Sequence, residues 1–157
     1  MSEYATNIAR HLSELSSLVS REVRREDLLP LAEADKIRED SKKVQYSPSW
    51  STEIPFARKT EVVFQDFVRK LERLNANPVY VWTPASNQCG LLRPIPLHDL
   101  NFGFDFSINP EGILVVLTSD LRDRLLLDYS RDDAGQEVLE IEASGSIGDT
   151  LVSNDRT

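Results

Sequence analysis

The sequence predicts an α+β fold: a mostly antiparallel β-meander sheet formed by the C-terminal half, with N-terminal helices packed on one face. Three observations carry that expectation. Apolar residues up to residue 75 recur at spacings of three and four; those after residue 78 alternate or run unbroken; and the two kinds of segment follow one another without interleaving. The 157 residues suit one domain, placed at residues 1–145. Apolar content falls after Gly145, so residues 146–157 are expected as a loose tail.

The first helix is expected over residues 3–20, where Ala5, Ile8, Leu12, Leu15 and Val19 fall on one face. A charged joint, Arg21 to Asp27, leads to Pro30, which a helix accepts only in its first turn. The second helix is therefore placed at 30–44, with Leu31, Ala34 and Ile37 as a narrow stripe and Glu39 and Lys43 as an i,i+4 pair. Gln45 to Phe56 is rich in Ser and Pro and reads as an extended connection containing Trp50, with a short strand at Thr52–Ile54. Thr60 is a fitting cap for a third helix over 60–75, whose stripe is Val63, Phe67, Leu71 and Leu74 with Phe64 and Val68 beside it.

Strands are expected at 79–83, where Val79-Tyr80-Val81-Trp82 is β-branched and aromatic, and at 90–93, a return strand through Leu91 and Leu92. In 102–108, Phe102, Phe104, Phe106 and Ile108 alternate with small or polar residues, the period of a half-buried strand. Asn109-Pro110-Glu111-Gly112 suits a type I turn, which would make 113–118 the second arm of a hairpin. Its unbroken apolar run, Ile113 to Leu117, predicts a central strand. Two further strands follow at 124–129 and 137–143; in the latter Leu139, Ile141 and Ala143 oppose Glu140 and Glu142, a carboxylate face suited to a position near an edge.

Charge is the most uneven property of the chain. Residues 1–77 hold 13 Lys and Arg against 13 Asp and Glu, whereas residues 78–157 hold 5 against 13, so the net charge of -8 belongs to the strand-rich half. Such a surface repels nucleic acid and anionic membrane and attracts basic proteins. A single cysteine, Cys89, excludes an internal disulfide and suits a reducing compartment. No apolar stretch reaches membrane-spanning length, and Glu3, Arg10 and Glu14 interrupt the region where a signal peptide would be apolar, so a cytoplasmic location is expected.

Catalytic signatures are sparse. Two histidines and one cysteine are too few for an ordinary zinc site, and neither metal nor cofactor is expected. Cys89 and His98 are residue types that could act as nucleophile and base, but a lone cysteine is more often a small buried hydrophobe. No Walker-type loop, GxGxxG, HExxH or GxSxG is present. The carboxylates Asp120, Asp123, Asp128, Asp132 and Asp133, joined by Glu140 and Glu142, are the candidate partner-binding residues. An electronegative docking surface is weighed against solvated charges that protect sheet edges and keep the protein soluble. Trp50 and Trp82 are the candidate aromatic anchors, with core packing the bland reading for Trp82.

Gly112 to Thr118, Asp123 to Tyr129 and Glu137 to Glu142 together resemble the sheet of bacterial toxin-immunity proteins of contact-dependent growth inhibition and related polymorphic toxin systems. The resemblance implies a small, non-catalytic cytoplasmic protein that neutralises one cognate basic toxin domain, often a nuclease, and it transfers no individual residue. The alternatives are an acidic secretion chaperone or adaptor, and a small hydrolase using two of Asp105, Asp128, Glu140 and Glu142.

Overall fold

The computed structural model describes residues 3–46, 48–103 and 112–155. Among these residues it is an α+β fold with five antiparallel strands: β1 (Pro48–Pro55), β2 (Val79–Trp82), β3 (Ile113–Thr118), β4 (Arg124–Arg131) and β5 (Glu137–Ser144), in the order β1-β5-β4-β3-β2. The helices are α1 (Glu3–Val19), α2 (Leu31–Lys42), α3 (Val62–Leu74), the single turn α4 (Ser86–Cys89) and α5 (Ser146–Asp155).

The pleat divides the sheet into two unlike faces. Val79, Val81, Leu114, Val116, Leu125, Leu127, Leu139, Ile141 and Ala143 all point to one side, the inner face. There they meet Leu15, Leu18 and Val19 of α1 and Phe64, Val68 and Leu71 of α3 in the main core. Tyr80 and Trp82 lie on the outer face, packed against a small second cluster of Leu29, Ala34 and Leu91. The helices are thus not all on one face: α1 and α3 cover the inner side, and α2 covers the outer side at the β2 edge. The expected thin stripe of α2 explains this, since Ala34 is its only buried residue and can seal only a small patch.

Several elements differ from expectation for identifiable reasons. The connection around Trp50 is a full strand, the outermost among the described residues, because Trp50, Thr52 and Ile54 alternate inward opposite Ala143, Ile141 and Leu139. The prolines that argued for a connection stand at its two ends, where an edge strand tolerates them. Strand β5 is consequently interior, between β1 and β4. Strand β3 lies between β2 and β4 and is central as expected; the first arm of the hairpin expected before it lies, apart from Phe102 and Gly103, outside the described residues. Phe102 and Gly103 form a turn, with Phe102 edge-on to Phe64 at 5.1 Å; the rest of the strand expected at 102–108, and Asn109-Pro110-Glu111, lie outside the described residues. The 90–93 segment makes only an isolated bridge, Leu28 with Leu92, although both of its leucines are buried.

In α3 the buried line is Phe64, Val68 and Leu71, while Val63 is 78% exposed. Both lines satisfy helical spacing, and the position of the sheet chooses between them. Thr60 spends its hydroxyl on the Ala57 carbonyl inside a 3-10 turn, leaving Glu61 at the N-cap. Near the end of α2 the ion pairs are Lys42–Glu39 and Lys43–Asp40, not Glu39–Lys43. Finally, residues 146–155 are helix α5 and not a loose tail. Ile147 and Leu151 enter the main core, and Gly148 sits so close to Ser49 Oγ and the Ala143 carbonyl that no side chain would fit.

Candidate functional site

The carboxylates singled out from sequence fall into three places with different duties. Asp123 faces inward, only 2% exposed. Its Oδ1 accepts hydrogen bonds from the Ile147 backbone N–H at 2.8 Å and from Ser146 Oγ at 2.9 Å, and its Oδ2 accepts one from Asn75 Nδ2 at 2.7 Å. These bonds satisfy donors at the start of α5 and tie it to the end of α3, so Asp123 is a structural link and not a docking residue. Neighbouring Asp120 is exposed but also engaged, accepting from Thr118 Oγ1 at 2.7 Å, from the Arg122 N–H at 3.1 Å and from Asn77 Nδ2 at 3.1 Å. Partial burial pushes its pKa upward, but the bonds from Thr118, Arg122 and Asn75 outweigh this and hold it below the usual carboxylate value.

Asp132 and Asp133 form the β4–β5 turn. Asp132 Oδ1 accepts from the N–H groups of Ala134 at 3.0 Å and Gln136 at 2.9 Å, while Gly135 takes a φ of 79° to close the loop. Asp133 is exposed at the tip.

The third group forms a surface. On the outer face, register places Glu53 of β1 opposite Glu140 of β5, and Glu140 opposite Asp128 of β4, so three carboxylates stand in one row across three adjacent strands. Glu142 stands two residues along β5, opposite Ser51 and Leu126. Among the described residues no Lys or Arg forms an ion pair with any of the four. The five strands contain only two cations, Arg124 and Arg131. Arg124 sits over the Tyr46 ring at 5.2 Å, and Arg131 donates to the Gly135 carbonyl at 3.0 Å. Burial, and then the charge of Glu140, push the Asp128 carboxyl above its usual value. Directly opposed like charges cost a sheet stability, so this row is a local conflict within the fold.

Sequence reading missed Glu53 as a site residue: it lies in the short strand expected at Thr52–Ile54, but nothing local to the chain pairs that strand with β5. The signal was present: Ser51 and Glu53 alternate with Trp50, Thr52 and Ile54, and this period of two continues the carboxylate face of β5.

The two tryptophans lie on opposite faces of the sheet. Trp82 packs on the small outer cluster and donates its indole N–H to Asn87 Oδ1 at 3.0 Å. Trp50 stacks on Phe67, centroids 5.6 Å apart, and lines an apolar groove of about 260 Å³ on the inner face beside the β1 edge.

Cys89 and His98 do not meet as nucleophile and base. Cys89 is buried in α4, and the ring nitrogens of His98 lie 2.9 Å from a Glu72 carboxylate oxygen and 3.3 Å from one of Asp99. The Glu72 bond raises the His98 pKa. His11 is instead the buried histidine, with Nε2 donating to the Gly90 carbonyl at 2.7 Å. Asp128 and Glu140 stand opposite each other across β4 and β5 on a sheet face, and neither lines the grooves beside Phe102, Trp50, Asn75 or Leu97; Asp105 lies outside the described residues. No group of three or more His, Cys, Asp or Glu among the described residues is arranged to hold a metal ion, and no helix among them is long and apolar enough to cross a membrane.

No protein-family model matches the chain, and no solved structure does. The chain is similar to GTPase Obg of Clostridium kluyveri (strain NBRC 12016), at 25% identity over 156 positions that cover 83% of this chain and 35% of that protein. It therefore spans about a third of the length of the relative it matches. None of its six glycines belongs to a GxxxxGK[S/T] phosphate loop.

Proposed function

We propose that this is a non-catalytic binding protein that captures a basic protein domain on the acidic outer face of its sheet, acting in the cytoplasm as an immunity protein against a cognate toxin. The observation that carries the reading is the unpaired row Glu53–Glu140–Asp128. A fold that only needed solubility would disperse these charges or alternate them with lysines. Kept adjacent, they form a patch whose repulsion is relieved when cations from a partner arrive, and which steers that partner's approach. Glu142 extends the patch, and Trp82 marks its far side at the β2 edge.

The test is a titration against the product of the adjacent reading frame, at low and high salt, with wild type and the Glu53→Gln/Glu140→Gln/Glu142→Gln variant. Binding that weakens with salt and with the variant supports the reading. Absence of binding to that product, or to any basic protein domain offered, counts against it. The secretion-chaperone or adaptor reading draws on a different observation, the apolar groove beside β1, and would show itself as capture of an unfolded client segment in preference to a folded domain.

A further inference from the structure

We propose that a half-buried apolar strip on the outer face of the sheet, made by Trp82, Val115 and Leu126, anchors the docking surface, and that its occupant is an amphipathic helix of a basic partner. This deepens the acidic-face reading and rests on it for the charge of the occupant. The strip is an observation of its own. Strand β3 is apolar at every position from Ile113 to Leu117, and β4 reads Leu125-Leu126-Leu127. Alternate residues of a strand face opposite sides, and a strand solvated on one face carries polar residues there. Leu114, Val116, Leu125 and Leu127 are buried in the main core on the inner face. Val115 and Leu126, on the outer face, are only half-buried, and among the described residues they belong to neither the main core nor the outer cluster.

Register makes the strip continuous with the charges. Trp82 of β2 pairs with Val115 of β3, Val115 with Leu126 of β4, and Leu126 with Glu142 of β5. At one end Trp82 packs on the outer cluster that α2 covers. At the other the strip closes on Glu142, and the row two residues along the strands holds Asp128, Glu140 and Glu53. Glu140 and Glu53 are exposed, so this part of the face is open to solvent. An apolar centre with a charged rim is how protein interfaces are built.

Helices cover sheet faces by turning one apolar stripe to them, and α2 already does so at the β2 edge. Packed helices lie about 10 Å apart and strands about 4.8 Å apart, so the next place in that layer falls about two strands on, over β4. A helix seated there meets Val115 and Leu126 with its stripe and overhangs β5 and β1 with one flank. Lys or Arg on that flank would meet Glu142, Glu140 and Glu53; acidic residues there would be repelled. A second copy of the chain is disfavoured by the same charges, because a two-fold pairing presents this face twice and sets carboxylates against carboxylates.

The probe is a synthetic helical peptide with a leucine stripe and lysines along one flank. It is compared with a peptide of the same composition in scrambled order and with one carrying glutamates in place of the lysines. Affinity is measured at low and high salt, and the methyl NMR signals of Val115 and Leu126 locate the peptide, for wild type, Leu126→Ser, Glu140→Gln and Glu142→Lys. Thermal unfolding establishes that Leu126→Ser is folded, and Glu142→Lys tests the same site without touching an apolar residue. The expected result is that the ordered lysine peptide alone shifts both methyl signals. It should bind about tenfold more weakly to Leu126→Ser and to Glu142→Lys, and the loss in Glu140→Gln should be confined to low salt. Salt-dependent binding of the scrambled peptide as tight as that of the ordered one, with both methyl signals unmoved, would overturn the helix site while leaving the acidic-face reading intact. Equal binding of the lysine and glutamate peptides, with the methyl signals shifted, would overturn the basic occupant and the acidic-face reading with it. Methyl shifts that grow with the concentration of the free protein would overturn the proposal in favour of self-association, and no binding by any of the peptides would overturn it outright.

Discussion

Two buried polar side chains show how much one residue can govern here. Asp123 has three donors aimed at its two oxygens from Asn75, Ser146 and Ile147. Asp123→Asn keeps the shape but turns one acceptor into a donor facing another donor, at a site with almost no access to water. Loss of about 1 to 3 kcal/mol of stability is expected, read as a lower denaturant midpoint, with no direct effect on partner affinity. His11 is the second case. Its Nε2 is committed to Gly90, while Nδ1 is buried with no hydrogen-bond partner. Burial lowers its pKa from 6.5, the bond to Gly90 opposing this only in part. A histidine whose folded pKa lies below its unfolded value favours the fold when neutral. Its contribution is fully present above pH 6.5 and is lost as the pH falls below it. Stability measured from pH 7.5 downward should therefore fall more steeply in wild type than in His11→Gln, whose amide can still donate to Gly90. Parallel curves would assign the acid sensitivity to other groups.

At the scale of elements, local periodicity made most of the fold legible and pairing made the rest obscure. Helices α1, α2 and α3 and strands β2 to β5 each carry a local pattern, whether helical spacing, alternation, β-branched and aromatic content or an unbroken apolar run, that identifies them without knowledge of their neighbours. Strand β1 was half-hidden because Pro48 and Pro55 speak for a connection, and only partnership with β5 turns its alternation into sheet. Helix α5 was hidden more completely. Its apolar content is just Ile147, Leu151 and Val152, too little to predict a helix from pattern, and its start is capped by Asp123 from a different loop. The same non-local dependence split the acidic cluster: adjacency along the chain grouped Asp120 and Asp123 with Asp128, whereas the fold uses the first two internally and joins Asp128 to Glu140 and Glu53. If α5 is part of the core, Leu151→Ala should cost about 2 to 3 kcal/mol, the low end for a buried leucine because a terminal helix can settle into the space. A surface tail would show no measurable change, so thermal unfolding of this one variant separates the two.

Over the whole molecule, the question is whether the excess of carboxylates in the second half is a by-product of solubility or is kept for binding. Stability and affinity answer it together. Glu140 is flanked by Glu53 on one side and Asp128 on the other, so Glu140→Gln removes the centre of a repulsive row while retaining an exposed polar side chain. Relief of directly opposed like charges should raise stability by about 0.2 to 1 kcal/mol. The gain should be largest near neutral pH and shrink as the carboxylates protonate. Asp128, whose folded pKa is raised, weakens the fold when ionised and does so less as the pH falls through its titration. If the row serves a basic partner, the same substitution must weaken association, chiefly by slowing it, and the loss must diminish at high salt. A variant that is more stable and binds worse would mean that the fold tolerates this repulsion for the sake of its partner. A variant that is more stable and binds equally well would leave the row without a role in recognition and shift the interface to the apolar groove beside β1.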